Sequence, residues 1–460
     1  MVPFVNKWLG LLGMMAAIAM IFTDQSILPV ALPTIREQLH LSDNVLQWCV
    51  NAYILAIAVF VLVGGKLGDL FGSRRVYCIG LFLFAGASAC CALSFHGALL
   101  ILSRILQGLG ASLMFPNSTT LIMSLFPPQE RGKANGINVS AGSIFLILGP
   151  LLGGFIVERY TWPWIFWVNI PLALVSFCLV LLNVPKPPLR EGKIDTCGFA
   201  YFATAMVSFV LLLMNGREWG WTSPSILSLS ALTLLSGILL LRREQKAAHP
   251  FLELTLFRHP HFSAAVIGVA ATAFVLSITV FWALYFQDAL HYSPFKTGII
   301  TFFSSLPIIV FSPIAGHISD RYGVRPPIAF GFACLIFSFA WMAHFNDNSL
   351  SWMLPGLFTF GIGVTSVFTP IYSAVTFTIS PHKWGIAYGI IATFRAVAGA
   401  LGIALIGTSM EEIQTWSMRH TSLIESMKIA FAATNGLLSL LLLGAFVLVL
   451  TLYNKTFKNI

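Results

Sequence analysis

Fourteen predominantly apolar stretches, many of about 20 residues, set the terms for this chain. A helix of that length crosses the roughly 30 Å hydrocarbon layer of a bilayer. The stretches lie at 9–33, 46–65, 76–95, 98–125, 134–157, 163–183, 197–215, 223–241, 262–287, 295–318, 326–345, 350–379, 384–408 and 427–452. In hydrocarbon each backbone N–H and C=O has to be satisfied within its own segment, so helices are the expected spanning element. The short alternating strands of a barrel are absent from the pattern. Composition points the same way. The chain is 57% hydrophobic and 9% charged, whereas soluble domains carry about 25% charged residues. A soluble chain this apolar could not cover its core with polar surface. The first stretch follows Lys7 and contains Ala17-Ile18-Ala19, which would pass as a leader cleavage site. It runs on to Pro33, so a retained first span is expected.

Positive charge sorts by side. With the N-terminus inside, eighteen lysines and arginines fall on the inner segments, six fall on the outer ones, and Arg104 and Arg395 lie within spans. That asymmetry predicts fourteen spans with both termini cytoplasmic. It also accounts for the net charge of +9 without nucleic acid, since a basic inner face lies against anionic lipid. The seven cysteines show no CxxC pair and no metal-ligand spacing, and are read as small packing residues.

The chain echoes itself. Gly65-Lys66-Leu67-Gly68-Asp69-Leu70-Phe71-Gly72-Ser73-Arg74-Arg75 follows the second span. Gly316-His317-Ile318-Ser319-Asp320-Arg321-Tyr322-Gly323-Val324-Arg325 follows the tenth. Both read G-x-φ-x-D-x-x-G-x-R, between the second and third spans of a six-span block. The expected architecture is an all-α polytopic membrane protein of two six-helix bundles, residues 1–184 and 259–460. A linker, 185–258, carries two extra transmembrane helices. Duplicated halves of this kind are a transporter architecture, with substrate bound between the repeats near the midplane.

Asp24 is the only acid inside the spans. A charged side chain mid-span costs about 2.5–3.5 kcal/mol on insertion scales, so it is expected to face a cavity or a partner. Burial disfavours the charged form of a carboxylic acid, which suits reversible protonation. Asp24 is therefore the candidate for binding the coupling proton and, when charged, a cationic substrate. A capped or ion-paired structural acid is the bland alternative. Arg104 is its natural partner: a guanidinium stays charged, and it can hold Asp24 ionised in one conformation and release it in another. Pairing of Arg104 with backbone carbonyls is the alternative. Gln107, one turn on, is placed to share the network. Arg395 is read as a second buried cation, which binds a substrate carboxylate or pairs with carbonyls. Gly142, Gly149 and Gly153 fall on one helical face, where small residues admit a neighbouring helix. Pro150 is expected to bend that span. Sealing the outer side and ordinary small-residue packing are equal readings of this face. Tyr53, Tyr285 and Tyr372 offer cation–π surface to a drug, although lipid or core packing is the commoner use of each. Trp162, Trp164, Trp219 and Trp221 are read as interfacial belt residues.

These motifs resemble the major facilitator superfamily. Further features are similar to its fourteen-helix drug:proton antiporter branch, the EmrB/QacA type: Asp24 through Pro33 in span 1, Arg104-Ile105-Leu106-Gln107-Gly108 in span 4, Gly149-Pro150-Leu151-Leu152-Gly153-Gly154 in span 5, and Trp162, Trp164, Phe166, Asn169 and Pro171 after it. Phe145, Pro163 and Ser26 depart from the branch pattern. The resemblance implies export of small lipophilic or cationic compounds in exchange for protons, from a bacterial inner or plasma membrane. It implies a gating role for Gly65, Asp69, Gly72, Arg74, Arg75, Gly316, Asp320 and Arg321, with a solvated basic inner loop as the alternative. In that role Asp69 pairs with a helix N-terminus or an arginine across the two halves when the inner gate is shut. Partners are the small-molecule substrate, protons and the lipid bilayer, and the resemblance leaves open a periplasmic adaptor and an outer-membrane channel. No cofactor is implied. A carrier for a dedicated metabolite is the nearest alternative. The sequence has no G-x-x-x-x-G-K-[ST], HExxH or G-x-S-x-G motif. An intramembrane enzyme would need a His/Asp or Ser/His pair at one depth, and the spans hold almost no histidine.

Overall fold

The computed structural model describes residues 6–185, 195–247, 251–292, 294–345 and 350–454. Lys186, Arg190, Lys193, Lys455 and Lys458, which contribute to the charge asymmetry, lie outside them. The described residues form α1 (Lys7–Leu39), α2 (Asp43–Phe71), α3 (Ser73–Ala92), α4 (Gly97–Leu125), α5 (Arg131–Arg159), α6 (Trp164–Trp167), α7 (Asn169–Asn183), α8 (Thr196–Trp219) and α9 (Pro224–Lys246). They continue with α10 (Pro260–Leu276), α11 (Ile278–Asp288), α12 (Pro294–Tyr322), α13 (Arg325–His344), α14 (Leu350–Thr378), α15 (Trp384–Ser417) and α16 (Leu423–Asn454). Among the described residues thirteen helices are long and apolar enough to cross a membrane, and fourteen if the bent α5 counts as one span. The bend in α5 is 43°, between 128–146 and 151–159. Pro150 stands at that break, where a missing N–H cannot complete the helix ladder.

Helix ends follow local chemistry. Asn6 caps α1 by accepting from the N–H groups of Trp8 and Leu9. Pro224 opens α9 behind the Ser223 cap. In both copies of the repeated motif the helix stops at a glycine with positive φ, +91° at Gly72 and +83° at Gly323, where a side chain would be strained.

The described residues group into two compact units: Met1–Leu254 with Ile379–Thr393, and Thr255–Thr378 with Phe394–Ile460. In the first, α2 and α3 pack on α4, and α1 packs on α5 and α7. In the second, α12 and α13 pack on α14, while α16 packs on α10 and α13. The internal sequence echo is thus matched by repeated packing, with α12, α13 and α14 in the places of α2, α3 and α4. The extra helices α8 and α9 pair with each other, and α8 touches α2. Only 17% of the apolar window of α9 is buried against protein. Leu227, Leu234, Leu235 and Leu241 stand exposed along it, a surface that lipid satisfies and water does not.

Close helix crossings use the glycines and prolines of the sequence. Pro116 inside α4 has no N–H for the carbonyl of Ser112. Gly64 of α2 approaches that carbonyl so closely that a Cβ would collide with it. The Asn117 side-chain amide donates to the Gly64 carbonyl at 2.8 Å and stitches the two helices together.

Candidate functional site

Asp24 lies in the middle of α1, between two apolar clusters. One contains Met20, Ile21, Tyr53 and Phe84, and the other Ile27, Leu28, Cys49 and Phe166. Only 1% of Asp24 and 1% of Arg104 is exposed. The Arg104 Nη1 of α4 donates to Asp24 Oδ2 at 2.5 Å and to Gln107 Oε1 at 2.6 Å. Arg104 Nε donates to the Cys49 carbonyl of α2 at 3.0 Å. The structure therefore joins both sequence readings of Arg104, the acid and the backbone carbonyl. Gln107 Nε2 donates to Asp24 Oδ1 at 2.7 Å and to Ser88 Oγ of α3 at 2.8 Å. Asn169, at the start of α7, donates to the same hydroxyl at 3.2 Å. Five helices thus contribute to one hydrogen-bond network around the acid. The charges are compensated at contact distance inside an apolar shell, where electrostatic interactions are strongest.

Tyr53 follows the commoner of its two readings, core packing. Its ring lies 4.3 Å from the Arg104 guanidinium carbon, so its cation–π surface already has an internal cation. Its hydroxyl donates to the Ile21 carbonyl at 3.3 Å. Tyr285 stacks on Phe431 with centroids 3.9 Å apart, and Tyr372 is buried. Trp162 is no belt residue: it is 3% exposed, edge-on to Phe166 within the second cluster. Trp164, Trp219 and Trp221 are exposed. Arg395, expected to be buried, is half-buried on α15 with its guanidinium 5.4 Å from the Phe368 ring.

The glycine face of α5 lies against α1 on both sides of Asp24. A Cβ at Gly142 would press on Ile18 and Phe22, one at Gly149 would strike the Ser26 hydroxyl, and one at Gly153 would press on Ile27. Gly154 faces open space. Gly149→Val is therefore expected to lower stability by about 1–3 kcal/mol through overpacking, while Gly154→Val stays near the parent. Denaturation midpoints in detergent compare the two.

The motif between α2 and α3 divides into three jobs. Asp69 accepts from the backbone N–H groups of Gly385 and Ile386, at 2.8 and 2.7 Å. These open α15, so a carboxylate sits on orphan donors at the positive end of a helix. Gly65 and Gly385 approach so closely that a Cβ on either would collide with the carbonyl of the other. Arg74 turns elsewhere and donates to the Val184 and Leu181 carbonyls at the end of α7, both at 2.6 Å. Arg75 is exposed. In the second copy Gly316 is buried and Asp320 half-buried, while Arg321 is exposed with its guanidinium carbon 5.3 Å from the Tyr322 ring.

Ser88 and the Cys49 carbonyl are site members that sequence reading missed. Neither carries a charge that would mark it in an apolar stretch, and a backbone carbonyl has no sequence signal at all. Asn169 was legible only as part of a motif.

Lipid-crossing helices, a buried charged centre and a packing scheme used twice define a multi-pass membrane protein built on a repeat. The chain belongs to the Major Facilitator Superfamily, whose sequence profile matches residues 14–403. It is similar to the riboflavin transporter RibZ of Clostridioides difficile (strain 630), with 32% identity over 424 residues, 91% of this chain and 92% of that protein. It is also similar to the multidrug resistance protein Stp of Mycobacterium tuberculosis (strain CDC 1551 / Oshkosh), with 32% identity over 392 residues, 85% of this chain and 73% of that protein. The fold is shared with the human organic anion transporter MFSD10, at a TM-score of 0.66 and 16% identity over 96% of this chain and 97% of that one. The protein is a membrane transporter.

Proposed function

We propose that this transporter exports small lipophilic or cationic compounds in exchange for protons, as a member of the fourteen-helix drug:proton antiporter branch. Two six-helix halves, 1–184 and 259–460, alternate access to a substrate, and the inserted pair lies in 185–258. The setting is a bacterial inner membrane with both termini in the cytoplasm.

The observation that carries the reading is the Asp24–Arg104–Gln107 centre, a compensated carboxylate wholly enclosed by helices. Asp24 takes the coupling proton, and Arg104 steadies its charged form in one conformation. The Asp69 contact with α15 acts as a latch on the cytoplasmic side. The multidrug name of the Stp relative supports export of varied compounds.

Ethidium efflux from proteoliposomes under an imposed pH gradient tests it. Efflux is expected to collapse with a protonophore, and to fall about tenfold or more in Asp24→Asn, which removes the charge and keeps the shape. Gradient-independent efflux, or full proton-driven efflux by Asp24→Asn, would overturn the reading. The match to RibZ over 91% of the chain supports a second reading, a carrier for one metabolite. Transport of riboflavin with no movement of any drug or dye would favour it.

A further inference from the structure

The inserted helices are attached to the latch by a short path of specific contacts. Phe251 follows α9 and is fully buried. Its N–H donates to Glu244 Oε1 of α9 at 3.2 Å. Its ring lies between Phe199 and Phe202 of α8, at centroid distances of 5.8 and 5.4 Å. Phe199 in turn lies 5.8 Å from Phe60 of α2. Gly198 is close-packed against Phe251, Asp195 and Glu244, and a Cβ there would crowd all three. The inner ends of α8 and α9 are themselves joined: Arg243 Nε and Nη2 donate to the two carboxylate oxygens of Asp195, at 2.9 and 3.2 Å. That guanidinium holds the Asp195 carboxyl below the usual carboxylate range. The hairpin thus grips residue 251 as a built socket.

Glu253 lies two residues further on. Its Oε2 accepts from Lys383 Nζ at 2.5 Å, with 18% of the Glu253 side chain exposed. Lys383 ends the 3-10 turn Pro381–Lys383 that leads directly into α15. The next residues but one, Gly385 and Ile386, supply the N–H groups that Asp69 accepts. Lys66, 9% exposed on α2, lies in the charge field of Glu253, Glu244 and Asp69 together. One corner therefore carries alternating charges from α2, the 251–254 segment and the lead into α15.

We infer that residues 251–253 are a strap through which the inserted pair α8–α9 holds the first turn of α15 onto α2, making Glu253 and Lys383 positioning residues of the Asp69 latch. The inference rests on the reading of the Asp69 contact as a latch. Phe251 anchors the strap in the hairpin and Glu253 pulls on Lys383. The extra helices then have a physical task beyond filling membrane: they set how readily the latch opens.

The test uses Ala387→Cys, a small change at a fully buried position in the first turns of α15. Maleimide labelling of that cysteine in the full-length protein in nanodiscs, read by peptide mass spectrometry, reports exposure when the turn lifts. The peptide readout keeps the native cysteines apart from the reporter. In this background Asp69→Ala is the latch-broken control and is expected to speed labelling. Glu253→Gln and Lys383→Met are each expected to speed it about threefold or more, the scale of a partly shielded ion pair. The swap Glu253→Lys with Lys383→Glu is expected to return it towards the parent rate. If Asp69→Ala speeds labelling and Glu253→Gln does not, the strap is wrong and the latch stands. If Asp69→Ala leaves labelling unchanged, the latch reading fails and takes the strap with it. If the single variants speed labelling and the swap does not restore it, the Glu253–Lys383 pairing is rejected as the cause.

Discussion

Arg104→Ala is expected to lower stability by about 3–5 kcal/mol, the scale for breaking a buried ion pair by deleting one partner. The deletion leaves Asp24 enclosed at 1% exposure with the Gln107 amide as its remaining donor. It also takes the cation from the face of Tyr53 and a donor from the Cys49 carbonyl. The double variant Asp24→Asn with Arg104→Gln removes both charges and keeps hydrogen-bonding groups. It should recover much of the loss, because no uncompensated charge stays buried. Denaturation midpoints of the parent, Asp24→Asn, Arg104→Gln and the double variant close a thermodynamic cycle for the pair. An Arg104→Ala protein that melts with the parent contradicts the structural account of this centre.

Asp69→Ala ranks next. It removes the carboxylate that satisfies two backbone donors at the start of α15. Hydrogen bonds to charged groups are worth about 1.5–3 kcal/mol each, and this carboxylate also faces the positive end of a long helix. Turnover is expected to fall about tenfold or more on that scale, with ligand binding retained. Asp69→Asn should fall between, since its one amide oxygen can accept where the carboxylate has two. Asp69→Glu is a strict comparison: the extra methylene moves the charge in a corner where Gly65 and Gly385 leave no slack. Initial transport rates and equilibrium ligand binding, measured on the same preparations, separate the two effects. Normal turnover in Asp69→Ala removes the latch from the mechanism.

The sequence was most informative where residue chemistry clashed with its surroundings. An acid, an arginine and a glutamine in oily stretches pointed to Asp24, Arg104 and Gln107, because charge in hydrocarbon demands a partner. Each apolar stretch is helical, but α1, α15 and α16 run to 33, 34 and 32 residues, past the apolar stretches that mark them, and the stretches 163–183 and 262–287 are each divided between two helices. The glycine face of α5 was legible from helical periodicity alone, but not that it would bracket Asp24. Partners that depend on which helices are neighbours were not legible. Ser88 is one serine among many in the spans until α3 meets α4. Asp69 had a helix N-terminus or an arginine as its expected partner, and only the fold selects the first turn of α15. Glu253 and Lys383 lie outside the apolar stretches, where a charged residue has no reason to stand out. Trp162 was misread because tryptophan near a helix end is usually interfacial, whereas here it fills the cluster beneath Asp24.

One property of the Gln107 amide reaches further. Its oxygen faces Arg104 and its nitrogen faces Asp24 and Ser88, so turning it over would set N–H groups against a guanidinium. Both groups that bond the Asp24 oxygens, the Arg104 Nη1 and the Gln107 Nε2, are hydrogen donors. A neutral carboxylic acid is itself a donor at one oxygen, and neither of these two donors offers it a lone pair. Keeping both of these hydrogen bonds requires the two oxygens to go on accepting, so a change that turns one of them into a donor at that lone pair breaks a bond. Gln107 is thus keyed in one orientation by an arginine on one side and an acid on the other.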